Sequence, residues 1–311
     1  MKTDNIGKNL RAWAKDRGYR LAWGKVSMIE TVSAQFDALK AQDAFDPFFY
    51  EEWLHFFEQS RGLLSPHFQS LILIAVPRPA HRVTFEYGDD RFETTIPPTY
   101  VDDNKIRDRM PDDLDADLFQ GRHRLEILRA PLKAIAARLG LIAYGRNNIA
   151  YTREMGSYLQ LVGLVTDAEI EPPYDQPTRE PVMLDECENC KLCRKACPTG
   201  AIGNDRFLLH AERCLTFHNE GTHPWPENLP RSIHHCLVGC MICQRVCPLN
   251  KELPEYVDAG VSFTAEETAK ILSDERDESD PIWLGIRAKF DQLDILDYES
   301  ILGRNLRALL A

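Results

Sequence analysis

Residues 187–198 read CENCKLCRKACP, an uninterrupted C-x2-C-x2-C-x3-C-P motif. In bacterial ferredoxins this spacing places three thiolates on one [4Fe–4S] cube, while the fourth cysteine, here Cys197, binds a second cube. The motif therefore requires a partner. Residues 240–248 supply it as CMICQRVCP, a C-x2-C-x3-C-P motif. Together the two spacings predict two [4Fe–4S] clusters in a bacterial ferredoxin-like domain.

The ferredoxin crossover predicts how the cysteines are shared between the two clusters. The first cluster takes four ligands, namely Cys187, Cys190, Cys193 and Cys247. The second takes Cys197, Cys240 and Cys243, and it needs one more. An ordinary ferredoxin carries that ligand three residues before Cys240, where this chain has Leu237. Spacing alone leaves Cys214 and Cys236 as equal candidates.

Disulfide and zinc explanations of the cysteines agree less well with the sequence. Disulfide frameworks are typical of short secreted chains, whereas this chain has 311 residues and 44% hydrophobic content, enough for a core. Structural zinc usually uses two C-x2-C pairs about a dozen or more residues apart, without Cys-Pro ends. The N-terminal sequence has no apolar leader segment, and no run approaches a membrane span. We therefore expect a cytoplasmic protein with reduced thiols.

The sequence before the cysteines is longer than a ferredoxin needs, because two cubes require only about 60–80 residues. We predict an α+β fold with four regions. They are a mixed α/β domain with a cofactor or substrate role at 1–170, a proline-rich linker at 171–182, the cluster domain at 183–254 and a helical C-terminal extension at 255–311. An attached domain of this size usually carries a cofactor that the clusters serve.

Three segments of the N-terminal region have clear periodicity. SLILIAVPRP at 70–79 predicts a buried strand that ends at proline. In HRVTFEYGDDRFETTI at 81–96, apolar and polar residues alternate on both sides of Gly88, which predicts a hairpin. HRLEILRAPLKAIAARLGL at 123–141 predicts a long helix that closes at Gly140. Helices are also predicted within 265–310, after the cysteines.

The order of these segments resembles that of the epoxyqueuosine reductases. The apolar strand is followed by Ala130-Pro131, RLGLIAYGRNNIAY at 138–151 and MGSYLQLVGLVTD at 155–167, and then by the cysteine motifs. The family carries a GLGWIGKNTL loop, a GSWFLGE-type strand, and CISY where this chain has CLTF at 214–217. The resemblance covers roughly residues 10–255. Reductive dehalogenases are similar more remotely.

The resemblance implies an oxidoreductase whose N-terminal domain binds base-off cobalamin and whose clusters receive electrons from a ferredoxin- or flavodoxin-type donor. It also implies Cys214, rather than Cys236, as the fourth ligand of the second cluster. Gly145 permits close backbone approach, and Arg146 can bind a phosphate or amide oxygen, although a plain turn also explains this loop. The implied corrinoid-lining residues are Tyr144, Gly145, Arg146, Asn147, Asn148, Gly156, Ser157 and Tyr158.

The chain also departs from that family. An aspartate in a VDSAP segment donates the proton to the opening epoxide there, whereas ILRAP at 127–131 places Leu128 at that position. Leucine cannot donate a proton. Tyr144, Tyr151 and Tyr158 are weak alternative donors, and packed aromatics explain them too.

The net charge of −11 argues against a polyanionic ligand, which normally requires a basic face. We therefore expect a divergent paralogue that reduces an unidentified small organic substrate through cobalamin. A non-catalytic electron-transfer or corrinoid-reducing protein is the alternative. Epoxyqueuosine-tRNA reduction ranks third, and tRNA is disfavoured as a partner.

Overall fold

The computed structural model describes residues 4–60, 65–173, 179–227, 229–253 and 256–310. The chain divides into two compact units, each discontinuous in sequence. Unit 1 is formed by Met1–Pro77, Ile106–Lys191 and Arg206–Leu208, and unit 2 by Arg78–Lys105, Leu192–Asp205 and Leu209–Ala311. The predicted domain bounds remain predictions, and residues 174–178 of the predicted linker lie outside the described residues.

The elements confirm the predicted α+β class. The helices are α1 (Asp4–Asp16), α2 (Met28–Ala41), α3 (Pro47–Phe49), α4 (His55–Ser60), α5 (Asp103–Leu114), α6 (Leu132–Arg138), α7 (Leu192–Ala196), α8 (Leu215–Glu220), α9 (Ile242–Arg245), α10 (Ala265–Ser273), α11 (Pro281–Leu293) and α12 (Glu299–Leu310). The strands are β1 (Arg20–Lys25), β2 (Ser70–Pro77), β3 (His81–Tyr87), β4 (Asp90–Ile96), β5 (Leu125–Ile127), β6 (Ala143–Tyr144), β7 (Ala150–Tyr151), β8 (Leu159–Thr166) and β9 (Val257–Phe263).

Unit 1 is built on a four-stranded antiparallel sheet in the order β1-β2-β8-β5. The apolar run predicted as a buried strand is β2, which is buried from Ser70 to Val76. Its side chains alternate between the two faces of the sheet. Leu71 and Leu73 join a core cluster with α2 and α6, whereas Ile72 and Ile74 join another with α1 and α5. Helices therefore cover both faces.

The long helix predicted over 123–141 is wrong. The segment forms β5, which pairs with β8, and then the shorter helix α6. Pro131 explains the break, because proline cannot donate a helical hydrogen bond and disfavours helical geometry at the residue before it. The backbone of Leu128 donates instead to Gly163 of β8, at 2.8 Å.

Unit 2 contains a three-stranded sheet in the order β4-β3-β9. The predicted hairpin is present as β3 and β4, and Gly88 turns it with a φ of +62°. β9 pairs parallel to β3, a strand that the sequence did not reveal. Phe85 stacks on Phe263 with ring centroids 4.8 Å apart, and α10, α11 and α12 pack around this core. The expected C-terminal helices are confirmed.

Candidate iron–sulfur site

Four cysteines of unit 2 influence one another's ionisation. Burial raises the pKa of the Cys214 thiol, and the neighbouring Cys197 raises it further. Burial likewise raises the pKa of Cys240 well above its ordinary value, and Cys214 and Cys243 add to that effect. Such thiols ionise readily only beside a cation, and iron supplies that charge. These four cysteines are the ones predicted to bind the second [4Fe–4S] cluster, and that assignment remains a prediction.

Four cysteines are assigned to the first cluster, and two of them, Cys187 and Cys190, lie close together in the sequence of unit 1. Cys193 is in α7, and Cys247 is followed by a short 3-10 turn at Pro248–Asn250. None of the nine cysteines forms a disulfide.

Cys236, the other candidate for the second cluster, is 1% exposed and packs against β4. It forms a β-bridge with Thr95, and the Leu237 amide donates to the Thr95 carbonyl at 2.9 Å. Burial raises the pKa of its thiol to about 12. Cys214 and Cys236 both raise the pKa of the Cys240 thiol, and Cys197 raises the pKa of the Cys214 thiol. The choice of Cys214 as ligand remains a prediction.

Arg146 binds the loop that carries the first two cysteines. Its Nε donates to the Cys190 carbonyl at 2.9 Å, and its Nη2 donates to the carbonyls of Glu188, at 3.1 Å, and Cys187. The sequence suggested a phosphate or amide oxygen as its partner. In unit 1 the same planar donor fork instead recognises three backbone oxygens.

The rest of the predicted Tyr144–Asn148 loop is held by its own side chains. Asn147 is buried, and its Nδ2 donates to the Tyr151 hydroxyl at 3.0 Å. A Cβ at Gly145 would overlap both Asn147 and Tyr151, so glycine is required there. Asn148 has a φ of +59°, which suits a turn. Burial raises the pKa of Tyr144 to about 12.

The second predicted loop, Gly156–Tyr158, is also buried. The Gly156 carbonyl accepts from the Thr152 amide at 3.0 Å, and the Tyr158 amide donates to Met155 at 3.0 Å. Gly156 has a φ of +53°, which favours glycine. These residues shape the turn after β7, and their role in binding a corrinoid remains a prediction.

Leu128 occupies a core position. It is 3% exposed and belongs to the apolar cluster that contains Leu71 and Leu73. A Cβ at Gly163 would overlap Leu132 and press against Leu128. The space beside Gly163 is therefore filled by two leucines.

Unit 1 also contains a cavity of about 820 Å³. Its lining residues come from four stretches of the chain, at 11–22, 137–143, 151–154 and 179–186. Of the residues predicted to bind the cofactor or donate the proton, Tyr151 is the one that lines this cavity. Sequence patterns missed this cavity because its walls come from four separate stretches. Its charged lining residues are Arg11, Lys15, Arg20, Arg153, Glu154, Arg179, Glu180, Asp185 and Glu186.

Across the part of the chain that the structure describes, no helix has the length and apolarity required to cross a membrane.

The cysteine region defines the class of protein. A family model described as "4Fe-4S double cluster binding domain" matches residues 186–250. The protein is thus an iron–sulfur protein with a two-cluster domain, and the two predicted [4Fe–4S] clusters are confirmed at this level.

Curated relatives narrow the class further. The epoxyqueuosine reductase of Bacillus subtilis (strain 168) is 38% identical over 119 residues, which are 38% of this chain and 29% of that protein. The enzyme of Lactococcus garvieae (strain Lg2) is 40% identical over 123 residues, 40% of this chain and 33% of the relative. The aligned part spans about a third of these relatives' length. These relatives are oxidoreductases by name.

Solved structures extend the likeness to almost the whole chain. A Bacillus subtilis epoxyqueuosine reductase with its catalytic loop swung out of the active site has a TM-score of 0.66 at 22% identity, covering 99% of this chain and 82% of that one. An epoxyqueuosine reductase with a tRNA-Tyr epoxyqueuosine-modified stem loop has a TM-score of 0.68 at 21% identity, with the same coverage. These structures share the fold, and the resemblance to epoxyqueuosine reductases is confirmed.

Two expectations are wrong. The sequence favoured an unidentified small substrate, or electron transfer alone, over the tRNA enzyme, and it disfavoured tRNA as a partner. The curated relatives are named epoxyqueuosine reductases, and one structural neighbour was solved with a tRNA stem loop. The net charge misled because it sums over the whole chain. Residues 255–311 carry 13 acidic and 6 basic side chains, whereas residues 121–153 carry seven Lys or Arg and one Glu.

Proposed function

We propose that this protein reduces the epoxide of epoxyqueuosine in tRNA, with electrons that pass through its two [4Fe–4S] clusters. One observation carries the proposal: a fold that follows epoxyqueuosine reductase along 99% of the chain and contains the double-cluster domain. Loss of the epoxide oxygen as water consumes an electron pair and two protons. Two clusters, each a one-electron carrier, suit that demand.

We also propose cobalamin as the cofactor that the clusters reduce. The cavity of unit 1 supports this, because it is large and its lining combines apolar, cationic and carboxylate side chains. Arg153 and Arg179 would donate to phosphate or amide oxygens, and Asp185 and Glu186 would accept from amide N–H groups. When bound, cobalamin supplies a reducible cobalt centre. The predicted lining loops at 144–148 and 156–158 flank Tyr151 and Arg153 in sequence.

The departing oxygen needs a proton donor other than residue 128. We propose Tyr151, which lines the cavity and whose hydroxyl oxygen accepts a hydrogen bond from Asn147. That bond orients the ring. Tyr144 suits the role less, since burial raises its pKa to about 12.

The basic stretch at 121–153 is the proposed source of tRNA affinity. Arg129, Lys133 and Arg153 are exposed there. Phosphate contacts depend on such local charge rather than on the total charge of the protein. The acidic residues of 255–311 lie in the other unit.

The test is turnover of an anticodon stem loop that contains epoxyqueuosine. Protein with both clusters reconstituted is incubated with cobalamin, a chemical reductant and the stem loop, and the nucleosides are then measured by mass spectrometry. We expect a product lighter by one oxygen atom. A stem loop with unmodified guanine is the control and should stay unchanged. Full cluster content and cobalamin binding without any product would contradict the proposal.

A further inference from the structure

We propose that α12 positions the second [4Fe–4S] cluster, because Arg304 and Asn305 fix the two segments that present Cys214 and Cys240. Both residues are far from the cysteine motifs in sequence, and no spacing rule assigns them to a cluster. The proposal rests on the double-cluster domain and on the prediction that Cys214 binds the second cluster, and it is independent of the substrate.

Arg304 holds the end of the helix that starts after Cys214. Its Nη1 donates to the carbonyls of Gly221 and His223, at 2.9 and 3.0 Å. Its Nη2 donates to the carbonyls of His218 and Asn219, at 3.0 and 3.1 Å. The last carbonyls of a helix have no partner within it. One guanidinium therefore satisfies the C-terminal end of α8 and the turn that follows.

Asn305 joins that helix to the segment before Cys240. Its Nδ2 donates to the Asn219 carbonyl at 2.8 Å and to the Leu237 carbonyl at 3.0 Å. Its Oδ1 accepts from Nε and Nη2 of Arg304, both at 3.2 Å. Asn305 is 0% exposed, so water cannot replace these bonds.

Asn219 completes the connection from the side of α8. It is 0% exposed, its Nδ2 donates to the Gly239 carbonyl, and its Oδ1 accepts from the Gly239 amide at 2.8 Å. Gly239 directly precedes Cys240 and has a φ of +70°, which favours glycine. Two cysteine-bearing segments are thus fixed to each other, and Asn305 bonds to both.

The helix that carries these side chains is itself firmly placed. Ile301, Leu302 and Leu306 of α12 are buried in the core cluster of unit 2, together with Leu237 and Val238. A Cβ at Gly303 would overlap the Ile271 carbonyl and Asp274, so α12 packs closely on α10. Arg304 and Asn305 therefore hold the cluster segments against a rigid support.

The experiment compares Arg304→Ala, Arg304→Lys and Asn305→Ala with Arg307→Ala as matched control. Arg307 lies one turn further along α12 and binds the Leu272 carbonyl and Asp274 rather than a cluster segment. Reconstituted proteins are challenged with an iron chelator, and iron content and EPR of the reduced protein are followed over time. Circular dichroism of each variant establishes that it is folded.

We expect the Arg304→Ala and Asn305→Ala variants to fall from about eight iron per chain to about four, the content of one cube, while the control keeps about eight. The EPR of the remaining reduced cluster should lose the spin coupling of a two-cluster protein. Arg304→Lys keeps the charge but loses the fork, and it should give an intermediate rate of loss. Parallel loss of both clusters, equal loss in the Arg307→Ala protein, or iron retention at the wild-type rate would each overturn the proposal.

Discussion

Two segments that carry predicted cluster ligands are held in different ways. One carries Cys187 and Cys190, and the other starts at Cys214. Arg146, in a loop of unit 1, binds three carbonyls around Cys187 and Cys190. Arg304, in the C-terminal helix, binds four carbonyls after Cys214. Arg146 precedes its cysteines in sequence, whereas Arg304 follows the four carbonyls that it binds by more than 80 residues. The motifs thus specify the ligands, while distant arginines fix the backbone that presents them.

The largest expected effect separates the two candidates for the eighth ligand. Cys214→Ala should remove one cube and halve the iron from about eight per chain, because a cube with three protein ligands is easily lost. Cys236→Ala should keep both, since that thiol packs against Thr95 of β4. Iron analysis and EPR of the two purified variants measure this. The reverse result would identify Cys236 as the ligand. Arg304 would then not hold a segment that binds the second cluster.

The contacts of Arg146 should stabilise the first cluster without affecting the second. Arg146→Ala leaves three carbonyls without their donor and should release the first cluster on chelator challenge, with about four iron retained. Arg146→Lys should lose it more slowly, because lysine keeps the charge without the fork. Arg153→Ala, an exposed arginine of the same unit, is the control for both. If the second cluster is lost first, the comparison between the two supports fails.

The loop of Arg146 is also linked to the proposed proton donor, because Asn147 binds Tyr151. Tyr151→Phe should lower the rate of epoxide reduction by about 10²- to 10⁴-fold, the usual contribution of a general acid. Cluster content and stem-loop affinity should not change, which single-turnover kinetics and iron analysis can establish. Tyr87→Phe, which changes an exposed tyrosine of unit 2, serves as the control. Wild-type turnover by the Tyr151→Phe protein would require a different donor.

The smallest effect concerns pH and the end of α8. Burial raises the pKa of Glu220 to about 7 from an ordinary 4.5, although a hydrogen bond from Tyr100 opposes the shift. Glu220 therefore keeps a proton in the folded protein that the unfolded chain releases between about pH 4.5 and 7, so the contribution of this group to stability should fall as pH rises through that window and level off above it. Buried His218 and His234, whose pKa values are lowered to about 4, contribute with the opposite sign. The change is on the order of 3 kcal/mol.

Thermal unfolding across that pH range measures the effect. Glu220→Gln should remove this falling contribution, so stability should rise more, or fall less, from pH 4.5 to 7 than in the wild type, because glutamine keeps an oxygen for the Tyr100 hydroxyl without a titrating proton. Glu227→Gln, which changes an exposed acid of the same unit, should leave the slope as it is. A wild-type slope in the Glu220→Gln protein would assign the pH dependence elsewhere.

Local patterns determined what could be predicted from the sequence. The cysteine motifs and the buried strand β2 were predicted correctly because each depends on residues adjacent in the chain. The helix over 123–141 failed at Pro131, where pairing of β5 with β8 outweighed helical periodicity. The roles of Arg146 and Arg304 left no pattern, because backbone carbonyls are recognised whatever side chains they carry. The cavity was missed for the same reason, since its walls meet only after folding.

The packing of Leu128 against the gap beside Gly163 has an evolutionary consequence. Replacing Leu128 with aspartate would place a carboxylate at a position that is 3% exposed among leucines, and an unpaired buried charge costs several kcal/mol. An aspartate at this position would therefore require simultaneous repacking around Leu132 and Gly163. While this core stays closed, a single substitution of Leu128 cannot supply a proton donor here.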